Sequence, residues 1–390
     1  MSRELFSRNQ DLKQLRDEGY FVQQQGGCLV MREVPYVDAH RQVRTGTLIS
    51  SLTLAGDQTR TPDTHVVHWD GDFPCHADGT PIQGISHAAG AFDLGHGLKA
   101  AYGFSSKPDG GYSNYHQKMT SYANIIAGPA AVLKPGATPR TFRAPEEEED
   151  SVFNYVETAS DRVGIGVLTE RLVNERVAIV GVGGTGGYIL DFVAKTPVRE
   201  IRLFDRDEFL THNAFRAPGA PSLEELREAP KKVDYLKGIY GRMHRNVVAH
   251  GVTLGADNIH LLDGVTFAFL SLDAGEAKRL IVEKLEAIGA GFIDVGMGLE
   301  LDEGSLGGIL RVTASTPEKR DHARQRISFV GGGAEDIYAS NIQVADLNAL
   351  NAVLAVIKWK KIRGFYRDLE HEHHCTYTTD GNMLINGDLT

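Results

Sequence analysis

The chain has 390 residues, 42% of them hydrophobic and 24% charged, a balance typical of a globular protein with two or three domains. Its net charge of −10 disfavours a general nucleic-acid partner, and three widely spaced cysteines without a CxxC pair argue against a disulfide framework and a structural zinc site, so we expect no zinc. No apolar run reaches membrane-spanning length and the N-terminus is too polar for a signal peptide, so we expect no membrane contact and a cytoplasmic location.

The first part of the chain predicts a smaller α+β domain over residues 1–145. Its predicted elements, in chain order, are a short amphipathic helix within 1–20, strands within 20–70 around a glycine turn, a loop over 71–97 rich in glycine and aspartate, a strand LKAAYGF, and a helix over 113–128 with a Ser or Asn cap. Three prolines and the acidic run 146–150 predict a linker after this domain.

A second domain is predicted over 151–390. Its predicted elements are strand 177–180, a helix to about 195, strand 201–204, helices near 222–228 and 231–246, strand 265–270, helix 275–289, strand 291–295, an antiparallel strand LGGILRVTAS, a charged crossover over 315–337 and helix 341–361. Alternating strands and helices indicate an α/β, doubly wound, Rossmann-like fold, in which a mostly parallel sheet has an antiparallel extension.

A glycine-rich turn follows the first strand of this domain. The segment RVAIVGVGGTGG places Gly181, Gly183, Gly184 and Gly186 between an apolar strand and a helix, and Asp205 ends the next strand. Glycines let the backbone approach a phosphate, the helix N-terminus favours an anion, and the acidic residue can hold a ribose hydroxyl. The turn therefore predicts a nucleotide site, and by itself it fits an NAD- or FAD-dependent oxidoreductase equally well.

Polar residues downstream separate these possibilities. Asp207, Asn213, Arg216 and Lys232 follow in order, and Asp273 comes after a buried strand. Two cations suit a triphosphate better than a pyrophosphate, and a carboxylate at a strand end can hold Mg²⁺. Asp273 also has a structural alternative, as the N-cap of the helix that follows it.

The order of these motifs resembles the ubiquitin-activating-enzyme superfamily of adenylyltransferases (ThiF/MoeB type). The matching segments are VAIVGVGGTGG, LFDRDEFLTHNAFR, PKKVDYLK, FAFLSLDAGEAKR, FIDVGMGLELDEGSLGGILRV and IQVADLNALNAVLAVIKWKK. The resemblance implies binding of ATP and Mg²⁺, adenylation of the C-terminal glycine carboxylate of a ubiquitin-like or sulfur-carrier protein, release of pyrophosphate, and a homodimer.

The resemblance also implies a role for each matching residue. The implied contacts are ribose for Asp205, the neighbourhood of the phosphates for Asp207, the phosphates for Asn213, Arg216 and Lys232, and Mg²⁺ for Asp273. Arg162, just before the first helix of the fold, would reach the partner subunit's site. These residues would then accelerate the reaction by positioning the substrates and neutralising their charge.

Two departures limit the resemblance. The chain lacks the two CxxC pairs that hold zinc in many relatives, and the crossover 315–337 lacks the cysteine that forms a thioester in others. Cys375, beside His371, His373 and His374, is a candidate for that thioester, with a surface-tail cysteine and a metal site as alternatives. The histidines, acids and cysteine of 65–76 likewise fit a metal or protease site, or ordinary strand ends and turns.

The N-terminal domain loosely resembles domains that are fused to such adenylyltransferases in bacterial ubiquitin-like conjugation gene clusters, some of them linked to antiviral defence. Its predicted role is recognition of the carrier or of a partner. Besides the oxidoreductase, a non-catalytic adaptor that binds a ubiquitin-like protein remains an alternative function.

Overall fold

The structure is a computed structural model that describes residues 2–143, 151–162, 165–273, 275–329 and 342–389. It divides the chain into two compact units, residues 1–170 and 171–390. The predicted linker 146–150 and residues 330–337 of the predicted crossover lie outside the described residues. The domain bounds predicted from the sequence stay predictions.

The first unit is built on a six-stranded antiparallel sheet. The eight strands described in this unit are β1 (Val22–Gln25), β2 (Cys28–Val37), β3 (Val43–Ser51), β4 (Leu54–Ala55), β5 (Gln58–Thr59), β6 (Val66–Asp70), β7 (Ser86–Gly95) and β8 (Leu98–Ser105). Its helices are α1 (Ser2–Arg8), α2 (Gln10–Asp17), α3 (Tyr115–Leu133), α4 (Ala159–Arg162) and α5 (Gly166–Glu170), with a 3-10 turn at Gln83–Ile85. The sheet order is β1-β2-β3-β6-β8-β7, and β4 and β5 pair separately.

Helix α3 covers one face of this sheet. Tyr115, Met119 and Tyr122 are buried in one apolar cluster with Leu29 of β2 and Leu48 of β3. The Asn114 side chain accepts a hydrogen bond of 2.8 Å from the Gln117 N–H, which confirms the predicted cap.

The segment 71–97, predicted as a loop, contains β7. This strand is an edge strand of mostly exposed, small residues with three register shifts, so it lacks the alternation by which strands are recognised.

The second unit is a doubly wound sheet. Its strands are β9 (Arg176–Val180), β10 (Glu200–Phe204), β11 (Val247–His250), β12 (Phe267–Leu270), β13 (Gly291–Asp302), β14 (Ser305–Ser315), β15 (His374–Thr378) and β16 (Met383–Gly387). Its helices are α6 (Gly184–Val193), α7 (Thr211–Ala214), α8 (Leu223–Glu228), α9 (Lys232–Tyr240), α10 (Glu276–Ala287), α11 (Ala323–Arg326) and α12 (Ala345–Ile362), with a 3-10 turn at Ile259–Leu262.

The sheet order is β11-β10-β9-β12-β13-β14-β15-β16. Strands β11 to β13 are parallel and β13 to β16 antiparallel, which confirms the predicted fold class. One apolar cluster joins the sheet to α6, α9 and α12, and another joins its opposite face to α10. The strand order reverses at β9, so a crevice opens at the carboxyl ends of β9 and β12, where ligands bind in such sheets.

Two elements of this unit differ from prediction. The helix predicted over 231–246 ends at Tyr240, and Val247–His250 forms the edge strand β11. The C-terminal segment is an antiparallel hairpin, β15–β16, that extends the sheet rather than a polar tail. Among the described residues, no helix is long and apolar enough to cross a membrane.

Candidate functional site

The glycine turn joins β9 to α6 at the crevice. Gly181 has a φ of +82°, and a Cβ at Gly186 would lie 1.9 Å from the carbonyl oxygen of Gly181. Gly183 is the N-cap of α6 and makes no side-chain cap bond, and Gly184 is the first helical residue. The turn is therefore too tight for side chains at Gly181 and Gly186, and the N-terminus of α6 has no side-chain cap that would compete with an anion.

Asp205 fixes the turn to the end of the neighbouring strand. Its Oδ2 accepts the N–H of Val182 at 3.0 Å, and its Oδ1 accepts the N–H of Asp207 at 2.9 Å. A carboxylate has about four lone-pair positions, so these two bonds leave capacity for a hydroxyl donor. The ribose contact implied for Asp205 stays a prediction, but the structure adds a second role, the positioning of the glycine turn.

Lys232 lies beside these acids at the start of α9. Its ammonium is 2.8 Å from Asp207 Oδ2 and 3.9 Å from Asp205 Oδ1, and its side chain is only 9% exposed. The backbone N–H of Lys232 donates to the Asp207 carbonyl at 2.9 Å, which holds α9 against the segment after β10. The hydrogen bond from Lys232 lowers the pKa of Asp207, so this carboxylate is charged at neutral pH.

Asn213 and Arg216 place two unused donors in the same region. Asn213 is buried, and its Oδ1 accepts the N–H of Leu210 at 2.9 Å. Within the described part of the chain, the buried atoms Asn213 Nδ2 and Arg216 Nε have no hydrogen-bond partner. Burial, followed by the charges of Arg216 and Lys232, lowers the pKa of His212, which shows that both cations act on one region. Buried donors without acceptors are costly, and an oxyanion would satisfy them.

Asp273 lies at the other side of the crevice, in the loop after β12. It is exposed, and α10 begins three residues later with Gly275 as its N-cap. The structural alternative for Asp273, a helix cap, is therefore wrong. Mg²⁺ commonly binds through one or two carboxylates, substrate phosphates and water, so a single exposed carboxylate here fits that ion. The metal role stays a prediction.

Two predicted residues lie away from this constellation. Arg162 is the last residue of α4 in the first unit, and its side chain lies outside the described residues, so its role in trans stays a prediction. Cys375 lies on β15 opposite Val312, and burial raises the pKa of its thiol to about 11. The Nδ1 atom of His374 lies 3.0 Å from Thr313 Oγ1, so this histidine is hydrogen-bonded to Thr313 and does not activate the thiol.

The metal interpretation of residues 65–76 has no support in the structure. Among the described residues, no group of three or more His, Cys, Asp or Glu side chains could hold a metal ion. Cys75 is buried, which raises the pKa of its thiol, and burial lowers the pKa of His68. These side chains belong to the interior of the first unit.

Sequence reasoning missed a buried asparagine that supports the site. Asn348 of α12 accepts a hydrogen bond of 2.9 Å from Thr185 Oγ1 and donates to the carbonyl of Arg216 at 3.3 Å. It therefore links the first turn of α6 to the segment that contains Arg216. The available signal was an asparagine on the apolar face of a helix, where a buried polar group requires a partner.

Two protein-family models match parts of the chain. The ThiF family model matches residues 159–299. The chain contains a ThiF family domain. This confirms the resemblance to ubiquitin-activating-enzyme-like adenylyltransferases predicted from the sequence. Residues 10–158 match a second family, described as a domain of unknown function, DUF6791. No curated protein matches the chain.

Solved structures with similar coordinates include PaaA and MccB. PaaA is 19% identical, with coverage of 59% of this chain and 68% of that chain and a TM-score of 0.45. E. coli MccB with ATP is 16% identical, with coverage of 59% and 68% and a TM-score of 0.46. The microcin C7 biosynthetic enzyme MccB in complex with N-formylated MccA is 15% identical, with coverage of 58% and 68% and a TM-score of 0.43.

Proposed function

We propose that this chain is an ATP-dependent adenylyltransferase that activates the C-terminal carboxylate of a ubiquitin-like or sulfur-carrier protein. The observation behind the proposal is the pair of unpartnered buried donors, Asn213 Nδ2 and Arg216 Nε, in the same region as Lys232 and the glycine turn. These groups suit the phosphates of a nucleotide, and the ThiF family match supports the reaction class.

In the proposed reaction, a carboxylate oxygen of the carrier attacks the α-phosphorus of ATP. The bond between the α-phosphorus and the bridging oxygen breaks, and pyrophosphate leaves with that electron pair, so no proton moves. Lys232 and Arg216 neutralise charge on the phosphates, and Asp205 holds the turn and the ribose. Mg²⁺, held by Asp273, would offset the charge that builds on pyrophosphate. The chain's own groups orient and neutralise, and they form no covalent bond at phosphorus.

We further propose that the active form is a cytoplasmic homodimer, with Arg162 acting in trans, and that the carrier ends in glycine. The proposed setting is a bacterial ubiquitin-like conjugation or defence pathway. These points rest on the resemblance alone. The homodimer with Arg162 in trans is tested by mixing an Arg162→Ala chain with an Asp273→Ala chain. Activity returns in the mixture only if each site is built from residues of two subunits.

The reaction itself is tested by exchange of labelled pyrophosphate into ATP. The assay uses the full chain with short proteins that end in glycine and are encoded beside its gene. We expect carrier-dependent exchange in the unaltered protein and none in Asp273→Ala. Both Asp273 and the control position Asp257 are exposed, so either alanine should change the free energy of unfolding by less than about 0.5 kcal/mol. Asp257→Ala should keep full exchange.

The outcomes separate the alternatives. Binding of a reduced nicotinamide or a flavin without exchange would favour the oxidoreductase. Carrier binding that is unaltered in Asp273→Ala, with no exchange in either protein, would favour the adaptor.

A further inference from the structure

A buried cluster of three charges lies in the antiparallel part of the second unit. Lys278 of α10 places its ammonium 2.7 Å from Asp294 Oδ1 on β13, and Arg311 of β14 places Nη2 2.5 Å from Asp294 Oδ2. Asp294 is fully buried, the Lys278 side chain is 5% exposed, and the Arg311 side chain is 22% exposed. We call these three residues the charge triad.

The charge triad has one positive charge too many. In the described part of the chain, Lys278 and Arg311 share Asp294 as their carboxylate partner. Asp388 is already paired with Arg326, at 3.0 Å. An uncompensated charge at low exposure is unfavourable, and an incoming anion would remove that cost.

Arg311 lies near the carboxyl end of β12, at the edge of the crevice. Leu270, the last residue of β12, pairs with Asp294, and Arg311 pairs with Gly296, two residues further toward the carboxyl end of β13. Neighbouring strands lie about 4.8 Å apart and successive residues of a strand about 3.3 Å apart, so the Cα atom of Arg311 lies roughly 12 Å from the end of β12. A Cβ at Gly296 would lie 2.8 Å from Arg311 Nη2, so the glycine allows the guanidinium to lie flat on β13.

The guanidinium is fixed but not saturated. Its Nη1 donates to Thr313 Oγ1 at 2.8 Å and its Nη2 donates to Asp294, which together set the plane of the group. A guanidinium has five N–H donors, so others remain for a planar oxyanion. Such a rigid, partly exposed fork is suited to a carboxylate, which it can bind through two parallel hydrogen bonds.

We propose that Arg311 binds the C-terminal carboxylate of the peptide substrate before its activation, and that Arg311 is a positioning residue on the substrate side of the crevice. This inference rests on the proposed function. The alternative anion is a phosphate of the nucleotide. The phosphates have their own cations on the β10 side of β9, whereas Arg311 lies on the β12 side, two strands beyond β12. The carboxylate is therefore the ligand that Arg311 fits.

The test compares a free acid with its amide. The probes are the tripeptide Ala-Gly-Gly and the same peptide with a C-terminal amide, titrated into the full chain and followed by calorimetry or ligand-observed NMR. We expect the acid to bind about tenfold to a hundredfold more tightly than the amide, as for hydrogen bonds to charged groups. Arg311→Gln should abolish that difference and leave ATP affinity unchanged. Arg199→Gln, an exposed arginine just before β10, should alter neither.

Charge counting predicts that Arg311→Gln folds, since Lys278 and Asp294 remain as a balanced pair. Should it fail to fold, Arg311→Lys keeps the charge without the fork and should give an intermediate preference for the acid. Equal binding of acid and amide by the unaltered chain overturns the inference. An Arg311→Gln chain that keeps the acid preference also overturns it. Loss of ATP affinity in Arg311→Gln assigns the residue to the phosphates instead. ATP binding by the unaltered chain is measured separately, so failure of the proposed function is distinguishable from failure of this one.

Discussion

Gly186→Ala tests whether the glycine turn has the tight packing that the structure gives it. The added Cβ would lie 1.9 Å from the Gly181 carbonyl oxygen and 3.0 Å from Ser271 Oγ. Real Cβ atoms essentially never approach closer than 3.0 Å, so the turn must open by about 1.1 Å against backbone that cannot rotate away. Overpacking of this kind costs about 1–3 kcal/mol of unfolding free energy.

The same displacement moves the N-terminus of α6 away from the phosphates. A shift of about 1 Å in a positioned group costs roughly a hundredfold in rate, so we expect carrier-dependent pyrophosphate exchange to fall by about that factor. The Tm of the second unit should fall by about 2–4 °C for each kcal/mol of unfolding free energy that is lost. Gly238→Ala on α9 is the matched control, because its Cβ would meet nothing within 4 Å and alanine favours a helix. A Gly186→Ala chain with unchanged Tm and exchange would refute the close packing.

Three further predictions concern single side chains. Lys232→Met removes the cation beside Asp207 and should lower pyrophosphate exchange by about a hundredfold to a thousandfold. Lys231→Met removes only a hydrogen bond to a loop carbonyl and should leave the exchange rate unchanged. Equal exchange rates in the two variants would contradict the role of Lys232. Burial raises the pKa of Cys375 to about 11, so its alkylation by iodoacetamide should be slow at pH 8 and rise about tenfold per pH unit up to pH 10. Cys375→Ser should keep exchange, and rapid alkylation at pH 7 would indicate an activated thiol. Asn114→Ala removes the cap of α3 and should cost about 1 kcal/mol in denaturant unfolding without changing ATP affinity; an unchanged midpoint would show that the cap is dispensable.

The parts of the site that local pattern determines were predictable. An apolar strand, glycines and a following helix have a recognisable spacing, so the turn at Gly181–Gly186 and the carboxylate of Asp205 follow from the sequence. The ends of helices with a polar cap, such as Asn114, were equally accessible. The parallel order of β9, β10 and β12 follows from the alternation of strands and helices.

The parts that depend on pairing across long separations were not predictable. Edge strand β11 is four residues long, and β7 is exposed and irregular, so neither has an apolar alternation. The histidines near Cys375 suggested an activated thiol, but the pairing of β15 with β14 buries that cysteine and raises its pKa. Asn348 and Thr185 are 163 positions apart, and only the packing of α12 on α6 brings them together.

The charge triad shows why the antiparallel extension matters for chemistry as well as for packing. Asp294 lies on a parallel strand, but one of its two cations comes from α10 and the other from β14, so the cluster exists only where the parallel sheet meets its antiparallel neighbour. Asp205 and Lys232, which we propose to bind the nucleotide, lie on the β10 side of the crevice, and Arg311 lies on the β14 side. A substrate that reaches the α-phosphate from the antiparallel side meets a positive charge first. In the proposed reaction the two substrates would therefore approach the same crevice from opposite sides of β9 and β12, without competing for the same cations.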